Sequence, residues 1–335
     1  RPVITNLRSG VSNDAVAGLM RGLGIRACQL WGWQNAEILL VAQRENTTFK
    51  ISPGHNAHFA LRVHRPGYHS PSQLEAELEW LQHLGGQGLA VAVPVESSRG
   101  LLLERVDGYQ VSVLRWLDGQ VMGQSGQSLQ LKNGPQVFHA LGQSMARLHQ
   151  ISDVWCGSID VDRPRWDLEG LLGEQPLWGP FWKNPQLTDE QMKCLQEAKS
   201  RLRSDFIKWS PQLDFGLIHA DLVRENILLS GGELQLIDFD DSGVGFRLFE
   251  LATTLLANVD EPDYPQLKAQ LIAGYRTIRS MDVSHLQAFM LVRSLTYVGW
   301  IVPRMTEQGG HERCRRFIAR AMAMAQEYLA TTAEV

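Results

Sequence analysis

The hydrophobic and polar positions in the first third of the chain predict a sheet of short strands. Apolar residues there alternate with polar ones, and each run ends at glycine, proline, aspartate or another turn-forming residue. The predicted strands are Glu37–Ala42, Thr47–Ser52, His58–His64, Leu89–Val95, Gly100–Val106 and a run from Val111 that ends at Asp118 and Gly119.

One helix is predicted before these strands and a second one among them, whereas the chain after the last strand is mostly helical. Asn13–Leu23 places four apolar residues on one side, as an amphipathic helix does. Ser72–Leu84 follows a Ser-Pro start signal and precedes the stop signal of Gly85 and Gly86. The pattern therefore predicts a sheet with one main helix, followed by a helical region.

One segment of the helical region has a different pattern, with three short apolar runs. The runs are Phe215–His219, Asn226–Leu229 and Glu233–Phe239. Because Ser230, Gly231 and Gly232 separate the last two runs, we predict a hairpin there. Strand alternation then places Asp238 and Asp240 on one face and Asp241 on the other.

This segment has the layout of a phosphoryl-transfer site. It contains His219, Asp221, Asn226 and Asp238 within one strand–loop–strand unit. Phosphoryl transfer needs positioning and charge neutralisation, and magnesium prefers oxygen ligands such as an Asn amide and an Asp carboxylate. A separate Asp is then available to orient a hydroxyl and accept its proton. The alternative is a turn in which Asp and Asn have only structural roles.

Composition narrows the class of protein. The chain has 335 residues, of which 44% are apolar and 20% charged, as in an ordinary globular protein with room for two lobes. A net charge of −4 without a long basic run argues against a nucleic-acid partner. The four cysteines are widely separated and predict reduced thiols in a cytoplasmic protein. They are Cys28, Cys156, Cys194 and Cys314. We also expect no membrane span and no signal peptide.

The motifs HADLVREN and IDFDD, with the continuation DSGVGFRLFELATTLL, resemble the aminoglycoside phosphotransferase and choline kinase superfamily, in its homoserine-kinase-like branch. Protein kinases use a similar Asp-to-Asn spacing. The sequence departs from them at Ala220, where they have arginine, and at Asp240, where a DFG glycine would stand. It also lacks an A-P-E segment.

The resemblance implies an α+β fold with two lobes, like that of protein kinases. We expect an N-lobe of antiparallel sheet and one main helix at residues 1–116, a mostly helical C-lobe at 117–335, and a hinge near Leu114–Gly119. ATP and Mg²⁺ are the implied cofactors, and the implied substrate is a small molecule with a hydroxyl group. The resemblance assigns catalysis to Asp221, loop ordering to His219, magnesium binding to Asn226 and Asp238, and a second ion or a water to Asp240.

The resemblance also implies a nucleotide site in the N-lobe, where the sequence is less typical. Arg62 is the expected phosphate-binding residue in place of the usual lysine, and Lys50 is the competing candidate. Among Glu75, Glu77 and Glu79, Glu77 is the expected partner. No glycine-rich loop is present. The turn RENTT, with Asn46 and Thr48, is either its substitute or an ordinary turn. The backbone from Arg115 to Leu117 is expected to contact adenine.

Substrate recognition is the least determined part. Trp166, Trp178 and Trp182 either line an acceptor pocket or pack an irregular insertion. Arg293, Tyr297, Trp300 and Arg304 lie at helical spacing, and an arginine there binds a substrate carboxylate or forms a salt bridge. A homoserine-like amino alcohol is the expected acceptor. A protein Ser/Thr kinase and a nucleotide-binding pseudokinase are the alternatives.

Overall fold

The computed structural model describes residues 13–43, 46–155 and 160–331, with side chains from residue 18 of the first stretch onward. These residues form two compact units. The first holds the described residues up to Gln120 together with Asp160–Asp162 and Leu228–Ile237, and the second holds the remainder. The division into lobes at residues 116 and 117 stays a prediction.

An antiparallel five-stranded sheet forms the centre of the first unit. Its strands are β1 (Glu37–Gln43), β2 (Thr47–Gly54), β3 (Ala57–Val63), β4 (Leu103–Val106) and β5 (Tyr109–Arg115). They lie in the order β1-β2-β3-β5-β4. The chain's alternating pattern therefore does produce a sheet, as expected from the sequence.

The two faces of this sheet have different roles. One face is apolar and packs with helix α1 (Asn13–Leu30), where Phe49 and Leu61 join Leu23 in one buried cluster. Thr48 stands opposite Arg62 in the register, and Lys50 opposite Ala60. Since alternate residues of a strand point to opposite faces, Thr48, Lys50 and Arg62 share the second face.

Helix α2 (Pro71–Gly86) begins at the predicted Ser-Pro start signal, and its first turn forms a capping box. The Ser70 hydroxyl accepts the Gln73 N–H at 3.1 Å, and the Gln73 side chain accepts the Ser70 N–H at 3.1 Å. The cap fixes the first turn and thereby the helical register. In that register Glu77 is buried, whereas Glu75 and Glu79 are exposed.

Four element predictions in this unit were wrong in whole or in their bounds, and one of them is the strand Gly100–Val106, which begins only at Leu103. Residues 89–95 form only isolated bridges, at Val91 and Pro94, because they pair with two different partners and proline has no N–H to donate. Strand β5 ends at Arg115 rather than at Asp118. Helix α1 continues to Leu30, seven residues beyond its predicted end.

Helices dominate the second unit, as expected for the helical part of an α+β fold. They are α3 (Gly134–Asp153), α4 (Leu168–Leu172), α5 (Asp189–Trp209), α6 (Arg247–Leu256), α7 (Tyr264–Arg276), α8 (Leu286–Trp300) and α9 (Gly310–Ala330). All ten residues of α6 are buried. Helices α3 and α7 approach closely at Gly142, where a Cβ would lie 2.1 Å from the carbonyl oxygen of Leu271.

The remaining strands are short and frame the segment that carries the motifs. They are β6 (Gln120–Val121), β7 (Arg165–Trp166), β8 (Phe215–Ile218), β9 (Ile227–Ser230), β10 (Glu233–Leu236) and β11 (Gly243–Phe246). Their sheets have the orders β7-β11-β8 and β10-β9-β6. These strands hold both ends of the loop from His219 to Asn226.

The predicted hairpin is confirmed, but its second strand is shorter than predicted. Gly231 and Gly232 have φ of 57° and 88°, values that two-residue hairpin turns require. Strand β10 ends at Leu236, and Asp238 has a left-handed φ of 62°. Strand alternation therefore does not extend to Asp240 and Asp241, so the prediction of their faces was wrong.

Candidate active site

The loop between β8 and β9 is a buried loop. His219 and Ala220 are 0% exposed, and Ala220 has a left-handed φ of 69°. The His219 Nδ1 accepts the Asp221 N–H at 3.3 Å, and the His219 ring packs on Phe239 with centroids 4.4 Å apart. His219 thus orders the backbone at Asp221.

Asp221 is held at both carboxylate oxygens. The Arg293 Nη2 donates to Oδ1 at 2.7 Å, and the Asn226 Nδ2 donates to Oδ2 at 3.2 Å and to the Asp221 carbonyl at 2.9 Å. Burial raises the pKa of Asp221 to about 6, Arg293 opposes that rise, and Asp241 and Glu225 add to it. The carboxylate side chain keeps 24% exposure and so remains accessible to a reactant.

The orientation of Asn226 suits a magnesium ligand. Its amide nitrogen is used by Asp221, and within the described chain its Oδ1 accepts no hydrogen bond. An amide oxygen is the kind of hard ligand that Mg²⁺ prefers. Asp238 is exposed, whereas Asp240 is buried. Among the described residues, no three His, Cys, Asp or Glu side chains form a metal-binding group, so substrate phosphates would have to complete the ligand set.

Arg163 holds the backbone that follows Asp238. Its Nη2 donates to the carbonyl oxygens of Phe239 at 3.2 Å and Asp240 at 2.6 Å, and its Nε donates to the Ser242 carbonyl at 2.9 Å. A guanidinium offers several donors in a fixed plane and can therefore satisfy consecutive carbonyls at once. Arg163 fixes the turn by which the chain leaves Asp238.

Glu250, on α6, holds the backbone before Asp221. Its Oε2 accepts the His219 N–H at 2.6 Å and its Oε1 accepts the Ala220 N–H at 2.9 Å. The His149 Nε2 lies 3.4 Å from Oε2. Burial raises the pKa of Glu250 to about 7, against the two backbone N–H groups, which favour the ionised form. Burial also lowers the pKa of His149 well below its ordinary value.

Arg224 closes the loop on its other side. It donates to the Asn258 Oδ1 at 2.8 Å, to the Gln127 carbonyl at 2.6 Å and to Glu261 at 2.5 Å. Arg224 and Glu261 are 4% and 10% exposed, so this ion pair is buried. The loop is therefore fixed by α6, α8 and the segment around Gln127.

In the first unit, Arg62 and Glu77 form a buried ion pair. The Arg62 Nη2 donates to the Glu77 Oε1 at 2.7 Å, and the two side chains are 8% and 0% exposed. Lys50 lies on the same face of the sheet, but its Nζ stands over the Trp116 ring, 4.8 Å from the centroid. The pairing of Arg62 with Glu77 therefore agrees with the expected arrangement, and its role toward phosphate stays a prediction.

Of the other residues predicted to contact the nucleotide, some already have hydrogen-bond partners and others are half-buried. The Asn46 Oδ1 accepts the Arg65 N–H at 3.0 Å, which joins the residue before β2 to the chain after β3, and Thr48 is half-buried opposite Arg62. Arg44 and Glu45 lie outside the described residues. The Arg115 N–H donates to the Val93 carbonyl at 2.8 Å, so that group already has a partner. Leu117 follows in irregular, half-buried chain.

The three tryptophans of the insertion divide between packing and the site. Trp166 and Trp182 are 1% and 5% exposed and belong to the core. Trp178 is half-buried, donates to the Asp241 Oδ1 at 3.4 Å and stacks over the Arg293 guanidinium at 4.3 Å. The packing interpretation therefore holds for two of the three, and Trp178 lies beside Asp221's partner.

The open alternative for α8 is also decided. Arg293 forms a salt bridge with Asp221, and Tyr297 and Trp300 follow it on the same side. Arg304 lies beyond the end of α8 in a short 3-10 turn and stacks on Trp300 at 4.2 Å. The salt-bridge interpretation of this row is the one that the contacts support.

Sequence reasoning missed Arg163, Glu250 and the partner of Asp221. Glu250 stands in the quoted continuation FELA, and an acidic residue in an otherwise apolar helix was the available signal. Arg163 stands in a segment without a helical or strand period, so no pattern in the sequence points to it. Cys28, Cys194 and Cys314 form no disulfide among the described residues, and Cys156 lies outside them.

An α+β fold of two units, with His219, Asp221 and Asn226 on the loop between β8 and β9, is the layout of the protein-kinase-like phosphotransferases of small molecules. The sequence profile of the phosphotransferase enzyme family matches residues 38–283. The chain belongs to this family.

Individual relatives agree with this assignment. A homoserine kinase of Agrobacterium fabrum is 27% identical over 220 residues, which cover 63% of this chain and 62% of that kinase. The structure of a microcompartment-associated aminopropanol kinase superposes with a TM-score of 0.79 at 26% identity, covering 92% of this chain and 97% of that one. An amicoumacin kinase in complex with AMP-PNP and Ca²⁺ superposes with a TM-score of 0.73 at 18% identity, covering 95% and 96%.

The predicted family and the predicted fold class are therefore confirmed. The prediction of a phosphotransferase in the small-molecule kinase class, rather than a protein kinase, agrees with these relatives. Within the described residues, no helix is both long enough and apolar enough to cross a bilayer.

Proposed function

We propose that this protein transfers the γ-phosphoryl group of ATP to the hydroxyl of a small amino alcohol, with Mg²⁺ as cofactor. Homoserine is the expected acceptor. The observation that carries the proposal is the pair Asp221 and Asn226. They lie five residues apart on one buried loop and are joined by hydrogen bonds at 2.9 and 3.2 Å.

In this proposal Asp221 accepts a hydrogen bond from the acceptor hydroxyl and takes its proton as the new O–P bond forms. The bond between the γ-phosphorus and the β–γ bridging oxygen breaks, and ADP leaves. Two contacts to Asp221, from Arg293 and Asn226, support a fixed direction of approach. Fixing that direction converts an encounter of two reactants into a reaction within one complex.

Asn226 and Asp238 are proposed to hold the magnesium ion, and Asp240 a second ion or a water. The ion would supply positive charge against the phosphate oxygens during transfer. The unused Oδ1 of Asn226 supports this assignment. The divalent cation and the nucleotide analogue in the structure of the amicoumacin kinase agree with it. Arg62, supported by Glu77, is proposed to bind phosphate.

A screen of alcohols tests the proposal. The purified protein is incubated with Mg-ATP and homoserine, 1-amino-2-propanol, choline or ethanolamine, and ³¹P NMR identifies the phosphorylated product. We expect one of these amino alcohols to be phosphorylated and Asp221→Asn to lower kcat by about 1,000-fold.

The Asp221→Asn protein also serves as the control for folding and nucleotide binding. It should bind Mg-ADP as the wild type does, because the proposed nucleotide-binding residues are unchanged. ATP binding without transfer to any of these alcohols would contradict the proposal. Equal turnover by the wild type and Asp221→Asn would contradict the role of Asp221.

A further inference from the structure

Arg293 lies at the centre of a buried arrangement around Asp221. Its side chain is 0% exposed, and its Nη2 donates to the Asp221 Oδ1 at 2.7 Å and to the Tyr297 hydroxyl at 3.2 Å. A residue that binds a substrate carboxylate needs accessible N–H groups. Because Arg293 has no exposed surface, it is placed to act on its neighbours Asp221 and Tyr297 rather than on a substrate carboxylate.

Three aromatic rings surround the guanidinium and form what we call the aromatic cage (Trp178, Phe249 and Tyr297). The Arg293 Cζ lies 4.3 Å from the Trp178 centroid, 4.7 Å from that of Tyr297 and 5.2 Å from that of Phe249. Cation–π attraction to such rings offsets part of the cost of burying the charge.

The arrangement is poor as a device for stability alone. The Nε and Nη1 of Arg293 are buried and have no hydrogen-bond partner among the described residues. Unsatisfied buried donors lower stability, and buried ion pairs are often no better than apolar packing. The Nη2 of Arg293 donates to the Asp221 carboxylate, and the rings of the aromatic cage lie around the group.

We propose that Arg293 is a positioning residue for the phosphoryl-transfer reaction. It fixes the carboxylate plane of Asp221 from Oδ1, opposite the contact of Asn226 with Oδ2, so that the carboxylate meets the acceptor hydroxyl in one orientation. The inference rests on the proposed function, in which Asp221 is the base. Misplacing a reacting group by about 1 Å is sufficient to lower a rate by about 100-fold.

Kinetics of four variants test this role. Arg293→Gln is expected to lower kcat by about 100-fold while the KM for ATP stays near its wild-type value. Arg293→Lys retains the charge and is therefore expected to recover part of that loss. The recovery should be incomplete, because a lysine ammonium is a point charge without the planar fork. The matched control is Arg313→Gln, which breaks the surface pair with Glu307 (2.9 Å) and should leave kcat unchanged.

The fourth variant combines Arg293→Gln with Asp221→Asn. If Arg293 acts through Asp221, the double variant is expected to be about as slow as Asp221→Asn alone. Losses of kcat that multiply in the double variant would overturn the inference. So would a folded Arg293→Gln protein with wild-type kcat. If Arg293→Gln fails to fold, Arg293→Lys carries the same comparison.

A measurement without turnover separates this inference from the proposed function. In ¹⁵N NMR spectra of the arginine side chains, hindered rotation of the Arg293 guanidinium gives separate Nη signals. We expect these signals to merge in Asp221→Asn. Separate signals in a protein that phosphorylates no alcohol would sink the proposed function but keep the pairing. Merged signals in an active wild-type protein would sink the pairing alone.

Discussion

Two buried ion pairs, one in each unit, have the same length and opposite organisation. Arg62–Glu77 and Arg293–Asp221 both have a nitrogen–oxygen distance of 2.7 Å. In the first pair the carboxylate is 0% exposed and the arginine 8%, whereas in the second the arginine is 0% exposed and the carboxylate 24%. In each pair, the member assigned to substrate or phosphate is the one that keeps some exposure.

The difference teaches how one chemical interaction serves two purposes. A fully buried partner cannot reach a ligand, but it can hold the orientation and charge of its neighbour. Glu77 has this supporting position beneath Arg62, and Arg293 has it beside Asp221. Charge alone does not identify which member of such a pair contacts a ligand, whereas exposure indicates it.

The largest loss of activity is expected when Arg62, the less buried member of the first pair, is replaced. Arg62→Ala should lower kcat/KM for ATP by about 100-fold, because one charged donor to the transferring phosphate is lost. Steady-state kinetics with varied ATP measures the change. Lys50→Ala is the matched control from the same sheet face and should change kcat/KM little. The reverse result would assign phosphate binding to Lys50.

A second test uses Glu250, a buried carboxylate whose partners are backbone N–H groups rather than an arginine. Its pKa of about 7 lies above that of the unfolded chain, so the folded protein binds the extra proton between these values. The contribution of Glu250 to stability is therefore fully present below the unfolded pKa and is lost as the pH rises through 7.

Urea unfolding of the wild type and Glu250→Gln from pH 5 to 7.5 measures this contribution. The free energy of unfolding of the wild type should fall by about 2 kcal/mol relative to that of the variant. Parallel curves for the two proteins would show that Glu250 stays ionised throughout. In that case the two backbone N–H groups outweigh burial.

The smallest expected effect concerns the supporting member of the first pair. Glu77→Gln keeps a neutral acceptor and loses charge assistance, so kcat/KM for ATP should fall about tenfold. Glu79→Gln, on the exposed side of the same helix, provides the control and should leave the value unchanged. A larger loss of kcat/KM in Glu77→Gln than in Arg62→Ala would contradict the assignment of phosphate binding to Arg62 with Glu77 as its support.

The parts that sequence predicted well are those with a local period or motif. The helix start at Ser70 and Pro71, the hairpin at Gly231 and the strands β2 and β3 follow from neighbouring residues. Glu77 was chosen because its helix resembles that of the family, and the structure pairs it with Arg62. Local rules failed at residues 89–95, where each bridge has a different distant partner.

The supports of the site could not be predicted because they come from distant parts of the chain. Arg293 is 72 residues from Asp221, and Glu250 is 30 residues from Ala220. These separations are too long for the period of a helix or strand to indicate that Arg293 and Glu250 meet the motif. The spacing of Arg293 and Tyr297 did predict a common helix side, but only the fold determines that this side meets the loop.

The two hydrogen bonds from His219 and Ala220 to Glu250 also determine how the reactive loop exchanges its amide protons with solvent. Loops commonly open by local fluctuations at little cost. Here the two N–H groups before Asp221 are buried and bound to one carboxylate on α6, a helix without an exposed residue. Deuterium should therefore enter these positions as slowly as it enters the core. On gradual addition of denaturant, loss of activity would then coincide with global unfolding of the second unit.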